Sequence, residues 1–221
     1  MTSPLAAGLA VALITLLAAF GPLLGVSPWL IALGVALALT ALSLDAALLS
    51  GRGGHVLAEA LPGGRQRLRR VAVHEAGHVL AAAAEGLPVR RVLVGSLSCW
   101  RAGLAAGGST EFDPPDHAKL SLDQLRRWSR VLQAGMVAEV QLFGASVGGA
   151  DDRALLGRIW GLSGQDVATA RREQRQARRE VEALLRRESC SLDAEAERLL
   201  ATASRLGRPD GPIVQPLVPE G

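Results

Sequence analysis

Val71-Ala72-Val73-His74-Glu75-Ala76-Gly77-His78-Val79-Leu80-Ala81-Ala82 decides how this chain is read. It reads as one helix carrying His-Glu-x-x-His. Positions i and i+4 of a helix share a face, with Cβ atoms roughly 5–6 Å apart, so His74 and His78 can offer two imidazole nitrogens to one metal ion. That spacing suits zinc. Glu75 follows about 100° further round, at ~3.6 residues per turn. From there its carboxylate reaches a water in an open coordination position without binding the metal, which is the place of a general base. The competing reading is a chance five-residue match in which both histidines are satisfied core residues. Gly77 and residues 79 to 84, Val-Leu-Ala-Ala-Ala-Ala, weigh against it. An apolar, strongly helix-forming run, with a glycine that admits a neighbour beside the ligands, is not how a solvated surface helix is built.

The rest of the chain frames that helix. Its 221 residues are 49% hydrophobic with a positive mean hydropathy, high for a soluble protein with room for one domain and an appendage. The excess is concentrated at the start. No charged side chain precedes Asp45, and residues 4 to 44 are almost wholly Leu, Ala, Val, Ile and Gly. Gly21-Pro22 and Ser27-Pro28 divide this stretch into runs 5–24 and 29–49, each long enough to cross ~30 Å of hydrocarbon. Residues 1–50 therefore read as a transmembrane hairpin. A signal peptide is the alternative for the first run, but no basic segment precedes it and a second run follows at once. Arg52, Arg65, Arg67, Arg69 and Arg70 follow the second run, while the loop between the runs is uncharged. The expectation is an integral membrane protein of two spans with its larger part in the cytoplasm. Residues 51–70, rich in Gly and Arg, read as a basic juxtamembrane linker in contact with anionic lipid head groups, with His55 solvated.

Charge and cysteine content exclude other classes. The formal charge is only +3, which gives no general attraction for nucleic acid. Cys99 and Cys190 lack metal-type spacing with each other and read as reduced structural residues.

Downstream of the metal helix, Gly86-Leu87-Pro88 is a stop signal and Val89-Arg90-Arg91-Val92-Leu93-Val94 predicts a strand. Cys99-Trp100-Arg101 and Ser109-Thr110-Glu111-Phe112 read as short strands around Gly103, Gly107 and Gly108. Asp113-Pro114-Pro115-Asp116 reads as a turn. Ser121-Leu122-Asp123-Gln124 fits a capping box opening a helix to Phe143. A glycine-rich loop then ends on Asp151-Asp152 at the start of a helix over 152–160, where the plain reading is a pair of N-caps. A helix over 163–188 follows, its Arg171–Glu188 stretch holding seven Arg and four Glu. That run reads as a solvated face with i to i+4 pairs, packing through Val167, Gln174, Ala177, Val181, Leu184 and Leu185. A last helix, capped by Ser191 and burying Leu192, Leu199, Leu200, Ala203 and Leu206, stops at Gly207, before a flexible tail over 208–221.

A hydrolytic zinc site needs three protein ligands and an open position. On the residues alone the third ligand is one of Glu139, Asp151, Asp152 and His117. Five segments then occur together in order: Val73-His74-Glu75-Ala76-Gly77-His78, Val89-Arg90-Arg91-Val92, Gly135-Met136-Val137-Ala138-Glu139, Leu142-Phe143-Gly144 and Gly148-Gly149-Ala150-Asp151-Asp152. Their order and spacing resemble the peptidase domain of FtsH-type membrane-bound zinc metalloproteases, over about residues 71–207. The resemblance implies a mostly α fold, a transmembrane hairpin followed by a helical zinc-peptidase domain with a small β-sheet. It implies Zn2+ held by His74, His78 and Asp152, with Glu75 catalytic. It puts Glu139 near the metal as an outer residue, and Asp151 beside it in place of the family's Asn.

The chain also departs from that family. FtsH proteins carry an AAA ATPase domain between spans and peptidase, where about 20 residues stand here, and no Gly-x-x-x-x-Gly-Lys-Ser/Thr occurs. The family's Arg in Gly-Arg-x-Ala-Glu is Met136. The expectation is an ATP-independent metalloendopeptidase acting on unfolded or flexible protein or peptide chains at the cytoplasmic face. A homo-oligomer and a separate ATPase partner stay open. The alternative is a non-proteolytic zinc-binding regulatory or adaptor protein built on the same domain. An intramembrane protease does not fit, because Arg69-Arg70 and Glu85 leave a segment too short and too polar to span.

Overall fold

Runs of Ala, Leu, Arg and Glu with few β-branched neighbours favour helix, and the computed structural model is mostly helical, with one two-stranded sheet among the residues it describes. Those residues are 4–48, 52–113 and 120–203. They fall into two units, one ending at Gly54 and the other beginning at His55.

The first unit holds α1 (Pro4–Phe20), a 3-10 turn (Gly21–Leu24) and α2 (Pro28–Leu48). A Cβ on Gly21 would come within 2.7 Å of Ile31 Cδ1, so glycine is what lets the turn close against α2. Among the described residues α2 is the one helix long and apolar enough to cross a membrane, with a mean hydropathy of 2.0 and none of that window buried. Leu30, Leu37 and Leu42 are each about 60% exposed (63, 62 and 60%). The Asp45 carboxylate accepts from the amides of Gly53 and Gly54 at 2.8 and 2.9 Å.

α3 (Arg52–Ala60) runs across the boundary between the units, and α4 (Gly64–Glu85) starts well before the metal motif. The segment 51–70, expected as a linker, is therefore mainly helical. The turn between α3 and α4 is tight. Gly63 has φ 88°, which favours glycine, and a Cβ on Gly64 would lie 1.8 Å from the Glu59 carbonyl oxygen.

β1 (Val89–Val94), α5 (Ser96–Arg101), β2 (Gly108–Phe112), α6 (Leu122–Phe143), α7 (Ala150–Leu162), α8 (Val167–Arg187) and α9 (Ser189–Thr202) complete the second unit. β1 and β2 pair antiparallel, with Val92 opposite Thr110 and Val94 opposite Gly108. Cys99-Trp100-Arg101, expected as a strand, lies in α5. The core is α4 against α6, with α8 and α9 closing it. It is built from Ala72, Val73, Ala76, Val131, Ala134, Val181, Leu185 and Leu192. α4 and α6 run antiparallel, since His74 meets Gly135 whereas Glu85 pairs with Arg130. They approach closely at Gly77, where a Cβ would stand 2.7 Å from the Ala134 carbonyl oxygen. The Ser121–Gln124 capping box opens α6 as expected.

A second apolar cluster, Leu125, Trp128, Leu132, Leu156 and Trp160, joins α6 to α7, and Trp160 Nε1 donates to Ser129 Oγ at 2.8 Å. The charged run of α8 is only partly a solvated face. Arg178–Glu182 is an i to i+4 pair, but Glu173 and Glu180 cross to Arg126 and Arg130 of α6. Val167 is 66% exposed and does not join the packing stripe. Ser191 lies inside α9, where its hydroxyl donates to Glu188, rather than capping it. His117, Leu206, Gly207 and the tail 208–221 lie outside the described residues. His55 is in α3, with its side chain outside them.

Candidate metal centre

His74 and His78 occupy the face of α4 that packs on α6, and both are buried, at 8% and 3% exposure. A buried imidazole needs partners for its nitrogens. His78 Nδ1–H donates to the Val131 carbonyl at 2.8 Å, and His74 Nδ1–H donates to Glu139 Oε1 at 2.7 Å. Fixing Nδ1 in each ring leaves Nε2 to face outward. Both Nε2 atoms face one carboxylate. Asp152 Oδ2 lies 3.0 Å from His74 Nε2, and Oδ1 lies 3.5 Å from His78 Nε2. Ligand-type atoms of His74, His78 and Asp152 lie within 4.8 Å of one another, and the group could hold a metal ion.

Asp152 arrives from α7, which begins after Gly149 in a left-handed conformation of φ 80°. No side chain caps this helix, so the expected N-cap role of the aspartates is not taken up. Asp151 is exposed and stands outside the cluster. Glu139 is 1% exposed and gathers four donors. Besides His74 it accepts from Arg70 at 3.3 Å and from the amides of Val147 and Gly148 at 2.9 and 3.2 Å. The same guanidinium donates to the Ala145 carbonyl and lies over the Phe143 ring. Two glycines make room. A Cβ on Gly135 would stand 2.5 Å from the His74 ring, and one on Gly148 2.8 Å from Glu139 Oε1.

Glu75 is 5% exposed on the next face of α4. Thr110 of β2 donates to its Oε2 at 2.7 Å, and Gly108 lies against its Oε1, where a Cβ would come within 2.6 Å. The carboxylate is thus oriented by the strand pair and not by the metal cluster.

Electrostatics divide these groups. Burial disfavours a charged His74, but the Asp152 and Glu139 carboxylates outweigh it and raise its pKa to about 10. Burial would raise Asp152, yet both histidines hold it well below the usual carboxylate range. Glu139 is likewise opposed by burial and lowered by His74, the Val147 amide and Arg70. Glu75 moves the other way: burial pushes it up, against the pull of His78, His74 and Thr110. Upward is the direction that suits an acceptor of protons near neutral pH.

Of the residues expected in one neighbourhood, the structure gathers His74, His78, Asp152 and Glu139, holds Glu75 through Thr110, and leaves Asp151 exposed. The sequence reading missed Arg70, Thr110 and the Val131 carbonyl. Arg70 carried a readable signal, since it precedes His74 by four residues and shares its helix face; the other two are set by tertiary packing alone. A scan against models of known protein families finds no match for this chain, and a search of curated proteins finds none similar to it.

Proposed function

We propose that this chain is a membrane-anchored zinc metalloendopeptidase of the FtsH peptidase type, acting without its own ATPase on unfolded or flexible protein chains at the cytoplasmic face. One observation carries this reading. The two Nε2 atoms of a His-Glu-x-x-His helix converge on Asp152 while a separately held, buried carboxylate, Glu75, stands beside them. Two imidazole nitrogens and one carboxylate are the donor set of a catalytic zinc site, and the bonds from Nδ1 to Glu139 and Val131 are the outer support such ligands need. Zinc there would supply Lewis acidity, lowering the pKa of water and polarising a carbonyl.

The chain's own residues do the rest. Thr110 holds one oxygen of Glu75, so the other can take a proton from the attacking water and return it to the leaving amine. The β1–β2 pair offers an edge on which an extended substrate adds as a further strand. The anchor in this reading is α1 and α2 as two spans, with both termini cytoplasmic. Trp29 at the start of α2, 83% exposed, supports it as an aromatic residue suited to the membrane interface, and the basic residues after α2 favour contact with anionic lipid. A separate ATPase partner would supply the unfolding that a chain lacking a phosphate-binding loop cannot, and a homo-oligomer stays open beside it.

The test is Glu75→Gln in the full-length protein, beside wild type, with zinc content and casein-type proteolysis measured together. Zinc and fold stay, and proteolysis falls by at least about 100-fold, the lower end for a general base. Equal cleavage by the variant, or no cleavage by zinc-loaded wild type, ends the peptidase reading and leaves the zinc-binding regulatory protein in its place.

A further inference from the structure

Glu59, near the C-terminal end of α3, stands apart from the metal cluster, yet its carboxylate is committed. Its Oε1 accepts both the amide and the hydroxyl of Ser96, at 2.8 and 2.7 Å. Ser96 is 4% exposed, so these two donors have little recourse to water. The gripped turn is also where the strand pair opens. Gly95, at φ 98°, leaves β1 in a conformation that favours glycine, and its N–H donates to the Gly107 carbonyl at 2.8 Å. The next residue, Gly108, begins β2 opposite Val94. Gly108 lies against Glu75 Oε1, and Thr110, two residues further along the same strand, donates to Glu75 Oε2. A short covalent and hydrogen-bonded path thus runs from Glu59 through Ser96, the Gly95–Gly107 bond and Thr110 to Oε2 of Glu75.

We propose that Glu59 is a positioning residue for the base: through its carboxylate, the juxtamembrane helix α3 sets β2, and with it Thr110, against Glu75. This rests on the peptidase reading above. The chemistry of the grip is specific. One oxygen accepts two hydrogen bonds, so the charge is dispensable as long as an oxygen remains, and losing that oxygen strands two buried donors that only a shift of the turn can satisfy. Glu75 has no slack to follow such a shift, because Val71 and Gly108 close on each other beside it, a Cβ on Gly108 standing 2.4 Å from Val71 Cγ1.

The experiment compares full-length wild type, Glu59→Ala, Glu59→Gln and Ser96→Ala. It reads zinc content, thermal midpoint, kcat and KM on unfolded casein, and hydrogen exchange of the amides in 95–112. In Glu59→Ala zinc stays near wild type, the midpoint drops by a few degrees as the buried Ser96 donors lose their acceptor, kcat falls roughly 10- to 100-fold, the scale for a base misplaced by about an ångström, and KM changes little. Exchange rises within 95–112. Glu59→Gln, whose amide oxygen still accepts both bonds, recovers most of the rate, and Ser96→Ala falls between. An unchanged kcat in Glu59→Ala overturns the proposal, and so does a loss shared equally by the Gln variant or accompanied by loss of zinc. Should wild type cleave nothing, the peptidase reading has failed on its own. The exchange data then decide whether Glu59 fixes this segment: an unchanged pattern in Glu59→Ala refutes it.

Discussion

α2 and α4 are nearly equal in length, 21 and 22 residues, and they invert each other's relation between polarity and burial. α2 is mostly apolar, charged only at Asp45, and none of its residues is buried among the described residues. α4 carries His74, Glu75 and His78 in its most buried stretch, where ionisable groups are rare unless partnered. Each inversion is expensive in water. For α2, long and apolar enough to cross a membrane, the remedy in the reading proposed above is a different solvent, the hydrocarbon of a bilayer. For α4 it is a set of partners drawn from other elements: Glu139 and Val131 from α6, Asp152 from α7 and Thr110 from β2. Length does not separate these solutions. Composition does, with one charged side chain in α2, Asp45, against six in α4, and so does where the polar atoms find their hydrogen bonds.

The largest effect that could break this contrast lies in α4. His74→Ala, His78→Ala or Asp152→Ala should each lower zinc affinity by more than about 100-fold, whereas Glu139→Gln falls within about 10- to 100-fold, as expected for a group behind a ligand. Asp151→Asn, exposed and outside the cluster, should leave zinc unchanged. Full occupancy in Asp152→Ala with zinc lost in Glu139→Gln would mean the carboxylates have exchanged roles.

The matching change in α2 is Leu37→Arg, near the middle of the helix. A mid-membrane arginine costs about 3 kcal/mol of insertion, roughly 100-fold in partition, so the membrane fraction should drop while zinc content holds. If the variant, with α1 also removed, stays fully membrane-bound, α2 is not a span.

Glycines offer a finer comparison. Gly77→Ala gains about 1 kcal/mol of helix propensity, but its Cβ would press on Ala134 and Ala138, and overpacking of about 1–3 kcal/mol wins. Its thermal midpoint should fall. Gly34→Ala in α2, with nothing within 4 Å of the added carbon, keeps the propensity gain unopposed, so its midpoint should hold or rise. Equal behaviour of the two would remove the claim that α4 is packed to contact on α6.

The smallest effect is a proton. In protein stripped of metal His74 titrates near 10, so it is charged at pH 8, and zinc needs the neutral ring. Binding should release about one proton, seen as calorimetric heat that varies with buffer ionisation enthalpy. The same raised pKa contributes stability that is complete below the ordinary histidine value and fades as pH rises through about 10. Asp152, held low, contributes in the opposite sense and is lost in acid. A chelated sample whose midpoint climbs between pH 7 and 10 would contradict the first of these.

The division between what could and could not be read from sequence follows the same line. The i to i+4 pair of histidines and the capping box at Ser121 are local, and both stand as expected. Asp152 was reachable only through the order of five segments, because nothing local distinguishes it from Asp151; packing turns one to the histidines and leaves the other in solvent. Cys99-Trp100-Arg101 favours strand by residue type, but it lies one turn inside a helix whose start is held by Glu59 from far along the chain. Gly63-Gly64, within the stretch expected as a linker, is the opposite: Gly63 supplies the left-handed turn between α3 and α4, and Gly64 sits where a Cβ would meet the Glu59 carbonyl.

Glu139 also has a meaning for the order of assembly. It draws donors from α4, through Arg70 and His74, and from the loop after α6, through the amides of Val147 and Gly148, so one carboxylate ties the loop that delivers Asp152 to the helix that carries the histidines. The histidines are in place as soon as one helix forms, but the third donor, from 74 residues beyond the second, comes late. In the zinc reading proposed above, metal capture would report on a finished fold rather than a nascent one, and a chain stalled before α7 emerges would carry both histidines and bind zinc weakly.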